Sequence, residues 1–361
     1  MKYSVSFKLL LISALLSFYS CQQKNVSDKT QKTATNPPPK TGINDFVGQW
    51  TIDIKGGSVG WLEVSQKDNY VDANLLWEGG SVLPVPYIFM AGNTLYVGHE
   101  TINVDRNRKY DGDESSSMMY PDWLEIRKDG DKIIGYDLRP NTNGIGVDSV
   151  SFAGTKLPPI PPAPDLTKVK YGKPVVLFNG QDLTGWKLIN ENGKNPFHVK
   201  DGVLVKDPVQ VKGQPRVNYS DIRTVQVFKD FNLKIDVKIP KAHNSGIYLR
   251  GIYEVQVEQG HGDSDGKNLD SHNLGGIYSR ISPTVNAEKP ANTWQTFNIT
   301  LCDRHVTIIL NGTKIIDNQP LDGPTGGAIS SDVFAPGPLM LQGGEEGDVE
   351  FRNIVLTPIV N

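Results

Sequence analysis

The sequence predicts an all-β protein, and two observations lead to this fold class. Glycine (36 residues) and proline (24 residues) are abundant in the 361-residue chain, and both favour turns over long helices. Short runs of alternating apolar and polar residues recur along the chain, whereas long amphipathic helical patterns are scarce. Many short strands joined by turns are therefore expected, and the length is sufficient for two domains.

The charge balance argues against one class of partner. The formal net charge is −3, and lysine and arginine form no basic stripe along the sequence. Proteins that bind nucleic acid through its phosphates carry such a stripe or patch. We therefore expect no nucleic-acid partner.

Residues 1–21 predict a lipoprotein signal peptide. Lys2 and Lys8 precede an apolar run, residues 9–16. This run is too short to span a bilayer as a mature helix. The segment that ends at Cys21 resembles a bacterial lipoprotein cleavage site, which implies lipidation of Cys21 and anchoring to a membrane surface. Ordinary secretion is the alternative. The expected location is the bacterial cell envelope, either periplasmic or anchored to the outer membrane.

Residues 22–44 are polar and include three consecutive prolines, so we expect a disordered tether there. The next proline-rich segment lies at residues 157–170. Five of the eight residues from Leu157 to Pro164 are proline, which is typical of a semi-rigid extended spacer. We place a domain boundary in this linker.

Residues 45–156 form the first predicted β domain. Roughly eight short alternating runs, separated by turn signals, indicate a small β-barrel or sandwich. The opening Phe46-Val-Gly-Gln-Trp50 is similar to that of lipocalin-like barrels. This domain could bind a ligand, dock a partner or cover a cleft of the second domain, and the sequence does not choose between these roles.

Residues 171–361 form the second predicted β domain. The segments Phe231–Ile239 and Trp294–Leu301 alternate clearly between apolar and polar side chains. His305–Ile316 predicts a hairpin, because Asn311-Gly312 is the preferred pair for a type I′ turn. Strands of this kind with long connections indicate a two-sheet jelly-roll sandwich.

One stretch of the second domain, Gly246–Glu258, combines a strand pattern with chemically useful side chains. Alternation places apolar residues on one face and polar residues on the other. The polar face would carry Tyr248, Arg250, Glu254, Gln256 and Glu258. This polar face could simply be exposed to solvent, or it could bind a sugar.

Several separated motifs of the second domain, in order along the chain, resemble one bacterial family. They are Leu177–Trp186, Asn244–Gly251, Tyr253–Val257, Gly276–Tyr278, Lys289–Trp294, Leu310–Gly312, Pro338–Gln342 and Phe351–Ile354. The family is DUF1080, also called the 3-keto-disaccharide hydrolase or 3-keto-glucoside lyase/2-hydroxy-glucal hydratase domain. The resemblance implies a concanavalin-like jelly roll and does not extend to the first domain.

The resemblance also implies an activity on glycosides that are already oxidised at C3 of the sugar. The ketone acidifies the C2 proton, so a base can remove it while the glycosidic oxygen leaves from C1. Water then adds to the resulting enone, and the net reaction is hydrolysis. Such a site needs a base near C2, an acid near the leaving oxygen and an electrophile or metal at the C3 oxygen.

The motifs carry candidate residues for these roles. Glu254 matches the family segment as a base or metal ligand, and Gln256 matches it as a residue that orients a hydroxyl group. The resemblance places His272 where an imidazole could act as acid or base, with Asp270 orienting it. The same region could hold a divalent cation, with Glu254, His261 and His272 as candidate ligands.

Six residues are candidates for binding the substrate because they match family segments near the expected cleft. They are Asn244, Arg250, Gln256, Tyr278, Lys289 and Gln342. In members of the resembling family a histidine often follows the position of Gln342, and this chain departs from that pattern. Here the sequence is Gly343-Gly-Glu-Glu-Gly347, so either Glu345 and Glu346 replace that histidine or its role is absent.

Two other functions stay open from the sequence. Concanavalin-like sandwiches also serve as lectins, so a non-catalytic carbohydrate-binding lipoprotein is one alternative. A direct glycoside hydrolase is the other, but Glu254 and Glu258 would lie about 13 Å apart on a regular strand. Paired glycosidase carboxylates lie roughly 5 to 9.5 Å apart. Convergence of Glu254, His272 and Gln342 in a polar pocket would favour an enzyme over a binding module.

Overall fold

Strands dominate the computed structural model, which describes residues 41–103, 118–141, 146–261, 268–345 and 347–360. The helical content of these residues is a short 3-10 helix over Ile43–Asp45. None of their helices is long and apolar enough to cross a membrane. The predicted signal peptide with Cys21, and the tether up to residue 40, lie outside the described residues. The all-β fold class is confirmed.

The first β block is one antiparallel sheet of nine strands. The strands are β1 Gly48–Ile54, β2 Val59–Gln66, β3 Val71–Leu76, β4 Leu83–Pro84, β5 Tyr87–Ala91, β6 Thr94–Asn103, β7 Met118–Asp129, β8 Lys132–Pro140 and β9 Val147–Lys156. Their order in the sheet is β4-β3-β2-β1-β9-β8-β7-β6-β5. The sheet curls around its own core, which includes Trp50, Leu62, Val97, Leu124 and Phe152. Among the described residues β4 and β5 do not pair, so closure into the predicted barrel is not confirmed.

The second β block is a two-sheet sandwich, as predicted for a jelly roll. Its strands are β10 Lys170–Tyr171, β11 Val175–Val176, β12 Trp186–Leu188, β13 Phe197–Lys200, β14 Val203–Lys206, β15 Ile222–Phe228, β16 Phe231–Lys238, β17 Asn244–Leu249, β18 Tyr253–Glu258, β19 Trp294–Cys302, β20 His305–Leu310, β21 Thr313–Pro320, β22 Gly337–Leu341 and β23 Val349–Val360. The larger sheet has the order β13-β14-β23-β16-β19-β20-β21, and β10 and β11 also pair with β23. The smaller sheet has the order β12-β15-β22-β17-β18.

The predicted hairpin in the larger sheet is confirmed. β20 and β21 pair antiparallel on either side of Asn311 and Gly312. Both residues have positive φ angles, 53° and 87°, which a type I′ turn requires.

The stretch Gly246–Glu258 is a hairpin rather than the single strand that its alternation suggested. The chain reverses at Arg250 and Gly251, whose φ angles are 59° and 65°. β17 then pairs with β18 so that Tyr248 lies opposite Glu254. The two-residue period therefore survives the turn, and the faces of the strands are as predicted. Arg250 is the exception, because it belongs to the turn.

The two β blocks pack together within one compact unit, residues 40–361. Trp61 and Leu76 of the first block belong to the same hydrophobic cluster as the core of the sandwich. The guanidinium of Arg280 lies 4.4 Å from the Trp61 ring centre and donates to the carbonyl oxygen of Pro324 at 2.9 Å. Burial lowers the pKa of Arg280 to about 10. This contact fixes loops of the second block against strands of the first.

Candidate active site

The candidate site lies on the face of the smaller sheet that points away from the sandwich core. Ile247, Leu249, Val255 and Val257 point into the core, so their neighbours occupy the opposite face. Pairing in the sheet arranges these neighbours in three rows. The rows are Met340–Tyr248–Glu254, Gln342–Gly246–Gln256 and Asn244–Glu258.

Glu254 extends its carboxyl group across Gly246 of the neighbouring strand. A Cβ atom on Gly246 would lie 2.3 Å from Glu254 Oε1, so only glycine leaves this space. The side chain is buried, with 4% of its surface exposed. Burial raises the pKa of Glu254 to about 8, the charges of Asp221 and Glu345 act in the same direction, and a hydrogen bond with Tyr248 opposes them. The result is a carboxyl group poised to exchange a proton near neutral pH.

Three amide oxygens around this carboxyl group lack a hydrogen-bond partner among the described residues. They are Asn244 Oδ1, Gln256 Oε1 and Gln342 Oε1, and all three atoms are buried. A buried acceptor without a donor costs free energy, so native proteins rarely leave one unsatisfied. Sugar hydroxyl groups are donors that would satisfy these oxygens. The arrangement thus suits a polyhydroxylated ligand.

The outer edge of β18 is covered by the segment that carries Tyr278. The Gln256 backbone N–H donates to Gly276 O at 2.8 Å, and the Gly275 N–H donates to Gln256 O at 2.9 Å. The Tyr278 N–H donates to Glu254 O at 3.1 Å. These bonds fix Tyr278 beside the strand of Glu254.

A cluster of two imidazoles and a carboxylate lies next to this segment. His261 and His272 stack with their ring centres 5.3 Å apart. Asp270 lies between them, 3.6 Å from His261 Nε2 and 3.3 Å from His272 Nδ1. Burial alone would raise the pKa of Asp270. The hydrogen bond from the backbone N–H of His272 and the two imidazoles outweigh burial and hold the pKa below its ordinary value. The Tyr278 ring meets His272 edge-on at 5.0 Å.

The cluster has the composition of a site for a divalent transition metal. One donor atom from each of His261, Asp270 and His272 lies within 4.8 Å of the others. Two imidazoles with one carboxylate suit metals such as zinc or iron. Glu258 Oε1 lies 3.2 Å from His261 Nδ1, so it orients that ring from behind. Two of the three predicted candidate ligands, His261 and His272, belong to the cluster, whereas Glu254 lies on the sheet face outside it.

Side-chain contacts link Gln256 on the sheet face to the imidazole cluster. Gln256 Nε2 donates to Glu258 Oε2 at 3.2 Å, and Glu258 contacts His261. The sheet thus brings the predicted residues Asn244, Glu254, Gln256 and Gln342 to one face. The adjoining loop places Asp270, His272 and Tyr278 beside them.

Two predicted substrate-binding residues lie elsewhere. The guanidinium of Arg250 is buried under the turn, donates to Val333 O and lies 5.9 Å from the Tyr253 ring. The positive φ angle of Arg250 turns its side chain off the polar face. The Lys289 ammonium is exposed and donates to Trp294 O at 3.4 Å, at the start of a strand in the larger sheet. The structure therefore gives both residues structural contacts.

Sequence reasoning missed Lys206, which is fully buried at the end of β14. Its ammonium donates to Asn244 O at 2.6 Å and to Glu345 O at 2.9 Å. Burial lowers the pKa of Lys206 to about 8, although nearby carboxylates oppose the shift. Lys206 ties the start of β17 to the segment that follows Gln342, and only the tertiary fold brings these parts together.

Sequence reasoning also left two further residues without a role. The Tyr248 hydroxyl donates to Gly326 O at 2.9 Å and lies beside Glu254, and the strand alternation was the signal for its position. Asp221 accepts the Gly343 N–H at 2.7 Å, which holds the glycine segment that follows Gln342. Glu346 lies outside the described residues.

Comparison with known proteins gives one family match and several structural neighbours. The model of the 3-keto-alpha-glucoside-1,2-lyase-like domain matches residues 173–357. A presumed glycosyl hydrolase from Parabacteroides distasonis ATCC 8503 is 28% identical over 55% of this chain and 92% of its own, with a TM-score of 0.39. A second from the same organism is 24% identical over 52% and 94%, also with a TM-score of 0.39. No curated protein matches the chain.

A more distant neighbour is domain 4 of AbnA, a GH43 extracellular arabinanase from Geobacillus stearothermophilus, solved with arabinotriose. It is 13% identical over 54% of this chain and 95% of its own, with a TM-score of 0.32. The family match covers more than half of the chain and confirms the family that the motifs indicated. The chain is thus a carbohydrate-active enzyme that belongs to the 3-keto-alpha-glucoside-1,2-lyase-like family.

Proposed function

We propose that the second β block cleaves 3-keto-glycosides by elimination across C1 and C2, followed by hydration. The observation that carries this proposal is the buried carboxyl group of Glu254, held over Gly246 among unpartnered amide oxygens. A carboxyl group whose pKa is raised to about 8 is a far stronger base than an ordinary glutamate. Removal of a carbon-bound proton next to a ketone requires such a base.

The first step transfers the C2 proton to the ionised form of Glu254, the fraction of which grows as the pH rises towards 8. The electron pair of the C2–H bond forms the C1–C2 double bond, and the C1–O bond to the leaving group breaks. Water then adds its hydroxyl group to C1 and a proton to C2, which gives the free 3-keto sugar. Glu254 holds the abstracted proton after the first step and can return it to C2 in the second.

The leaving oxygen needs a proton, and His272 is the candidate donor. Its ring is one-third exposed, and Asp270 contacts Nδ1 at 3.3 Å, which orients the imidazole. Tyr278 packs against this ring and is bonded through its backbone to Glu254. The proposed acid therefore contacts the segment that bonds to the strand of the proposed base.

The same imidazoles could instead hold a divalent cation with Asp270 as the third ligand. When bound, a cation there would supply Lewis-acid stabilisation of negative charge on the ketone oxygen. The two uses of His272 exclude each other, because a ligated nitrogen is not available for proton transfer. A chelator separates them, since it abolishes activity in one case and leaves it unchanged in the other.

The two rival functions make different demands on the site. A two-carboxylate glycosidase needs a second carboxylate near Glu254, but Glu258 lies four residues along a regularly paired strand and already contacts Gln256 and His261. A lectin needs no titratable group among its binding residues, so the raised pKa of Glu254 would have no use there.

The test compares a 3-keto-glucoside with the parent glucoside, using the purified protein with and without a chelator. We expect release of the leaving group from the keto sugar alone. Cleavage of the parent glucoside would support a direct glycosidase. Binding of either sugar without turnover would support a lectin.

We also propose that the protein is a lipoprotein of the bacterial cell envelope, in which residues 22–44 tether two β domains to the membrane. The proposal rests on the signal-like sequence that ends at Cys21. Labelling cells with a radioactive fatty acid should label the wild-type protein and leave Cys21→Ala unlabelled. Equal labelling of both proteins, or of neither, would refute lipidation at Cys21.

A further inference from the structure

The first β block contacts the loops that surround the candidate site. The Ser81 hydroxyl lies 3.3 Å from the Tyr278 hydroxyl, and the Val82 N–H donates to Ser279 Oγ at 2.8 Å. Gly80 and Gly326 approach so closely that a Cβ on Gly326 would lie 2.2 Å from Gly80 O. The loop between β3 and β4 is therefore fitted against the second block at the site.

A cavity of about 410 Å³ lies between the two blocks at this contact. A volume of this size falls within the range of small-molecule sites. The first block contributes Gly57, Ser58, Val59, Glu78 and Gly79, and the second contributes Ile189, Gly327, Ala328 and Ile329. Each block supplies part of the wall, so neither would form the cavity alone.

The cavity adjoins the candidate site through Gly326 and Gly327. Gly326 accepts the hydrogen bond from Tyr248, and a Cβ on Gly327, which lines the cavity, would lie 2.7 Å from the Tyr248 hydroxyl oxygen. Tyr248 in turn contacts Glu254. The side chain of Tyr248 thus stands between the carboxyl group of Glu254 and this cavity.

The sheet face around Glu254 and the cavity between the blocks differ in chemistry. The sheet face offers unpartnered amide oxygens, which suit sugar hydroxyl groups. The cavity wall offers the apolar side chains of Val59, Ile189, Ala328 and Ile329, with glycine backbone between them, and its polar side chains are Ser58 and Glu78. Such a wall suits an apolar group better than a second, hydroxyl-rich sugar.

We propose that this cavity between the blocks is the subsite for the leaving group, and that it takes an apolar, aryl-type aglycone of a 3-keto-glycoside. The proposal rests on the proposed function of the second block. It gives the first β block a role in substrate selection. Disaccharides would be the poorer substrates, because Ser58 and Glu78 could pair only some of the hydroxyl groups of the second sugar and the rest would face the apolar side chains.

The test fills the cavity from the first block without touching the sheet that carries Glu254. Ser58 is exposed in the turn between β1 and β2, so Ser58→Trp is compatible with folding, and Ser58→Leu is a smaller second variant. Asn69→Trp, in the exposed turn between β2 and β3, is the matched control. The substrates are the phenyl and the methyl 3-keto-glucoside.

We expect Ser58→Trp to lower kcat/KM for the phenyl substrate about tenfold, mainly through KM, and to leave the methyl substrate within about twofold of wild type. Asn69→Trp should change neither. The proposed subsite would be overturned if both Ser58 variants changed kcat/KM equally for the two substrates, or changed it for neither. Failure of the wild-type protein to turn over either keto sugar would instead refute the proposed function and the subsite with it.

Discussion

The carboxyl group of Glu254 lies over Gly246, and the absence of a side chain at residue 246 is what lets it lie there. Gly246 pairs with Gln256 on one side and bonds to Gln342 on the other. A glycine in a central strand usually weakens the strand or marks a close approach. Here the close approach is that of the proposed base.

Gly246→Ala should therefore impair both activity and stability. The new methyl group would displace the flexible end of Glu254 rather than backbone, so we expect the free energy of unfolding to fall by about 1 to 3 kcal/mol. Displacement of a base by about 1 Å commonly costs on the order of 100-fold in kcat. Gly42→Ala, where no atom lies within 4 Å of the added Cβ, is the control. Full activity in Gly246→Ala would contradict the placement of the base.

The buried carboxyl group should also make stability depend on pH. In the folded protein Glu254 keeps its proton up to about pH 8, whereas in the unfolded chain it ionises near the ordinary value of 4.5. Between these values the unfolded state binds fewer protons, so the free energy of unfolding falls as pH rises. Glu254→Gln removes this dependence. It should equal wild type below pH 4.5 and exceed it by on the order of 5 kcal/mol above pH 8.

Urea unfolding at pH 4, 6 and 8.5 measures this difference. The matched control is Glu191→Gln, because Glu191 is exposed in the segment that follows β12. Its difference from wild type should be small and constant with pH. A constant difference for Glu254→Gln as well would mean that the carboxyl group is not held neutral in the folded protein.

If the imidazole cluster holds a metal rather than supplying the proton donor, it should bind one divalent ion per chain. Calorimetry with zinc should show this stoichiometry in wild type, and the binding should vanish in His261→Ala and in His272→Ala. Affinity should fall at acidic pH, because protonated imidazoles do not ligate metals. His198→Ala removes an exposed histidine of β13 and serves as the control. Zinc binding that survives in both cluster variants would refute the site.

The contact between Arg280 and Trp61 should contribute to the stability of the whole unit. Arg280→Lys keeps a charge but loses the planar stacking and the guanidinium hydrogen bonds to Pro324 O. We expect a decrease of about 2 kcal/mol in the free energy of unfolding. Arg216→Lys, at an exposed position, should change it little. Equal stability of the two variants would show that the stacking contributes nothing.

The strand pattern was readable from the sequence because alternation reports which residues share a face. It correctly placed Tyr248, Glu254 and Gln256 together, even though the turn at Arg250 was missed. The turn went unrecognised because the alternation has the same phase before and after it, and only the positive φ angle of Arg250 reveals it.

Contacts between distant parts of the chain were not readable. Nothing in the local sequence of Lys206 indicates that its ammonium bonds to Asn244 O and Glu345 O, since residues 38 and 139 positions away must first be brought together. The same holds for Ser81 and Tyr278, which are separated by 197 residues. Local periodicity specifies strands and faces, but these contacts depend on how the sheets and blocks pack.

The most direct test of the central claim measures removal of the C2 proton by Glu254. Wild type and Glu254→Gln would each be given a 3-keto-glucoside carrying hydrogen or deuterium at C2. We expect wild type to release the leaving group several-fold more slowly from the deuterated substrate, and Glu254→Gln to lose at least about 100-fold in rate with both. An equal wild-type rate for the two substrates, together with full activity in Glu254→Gln, would contradict the account.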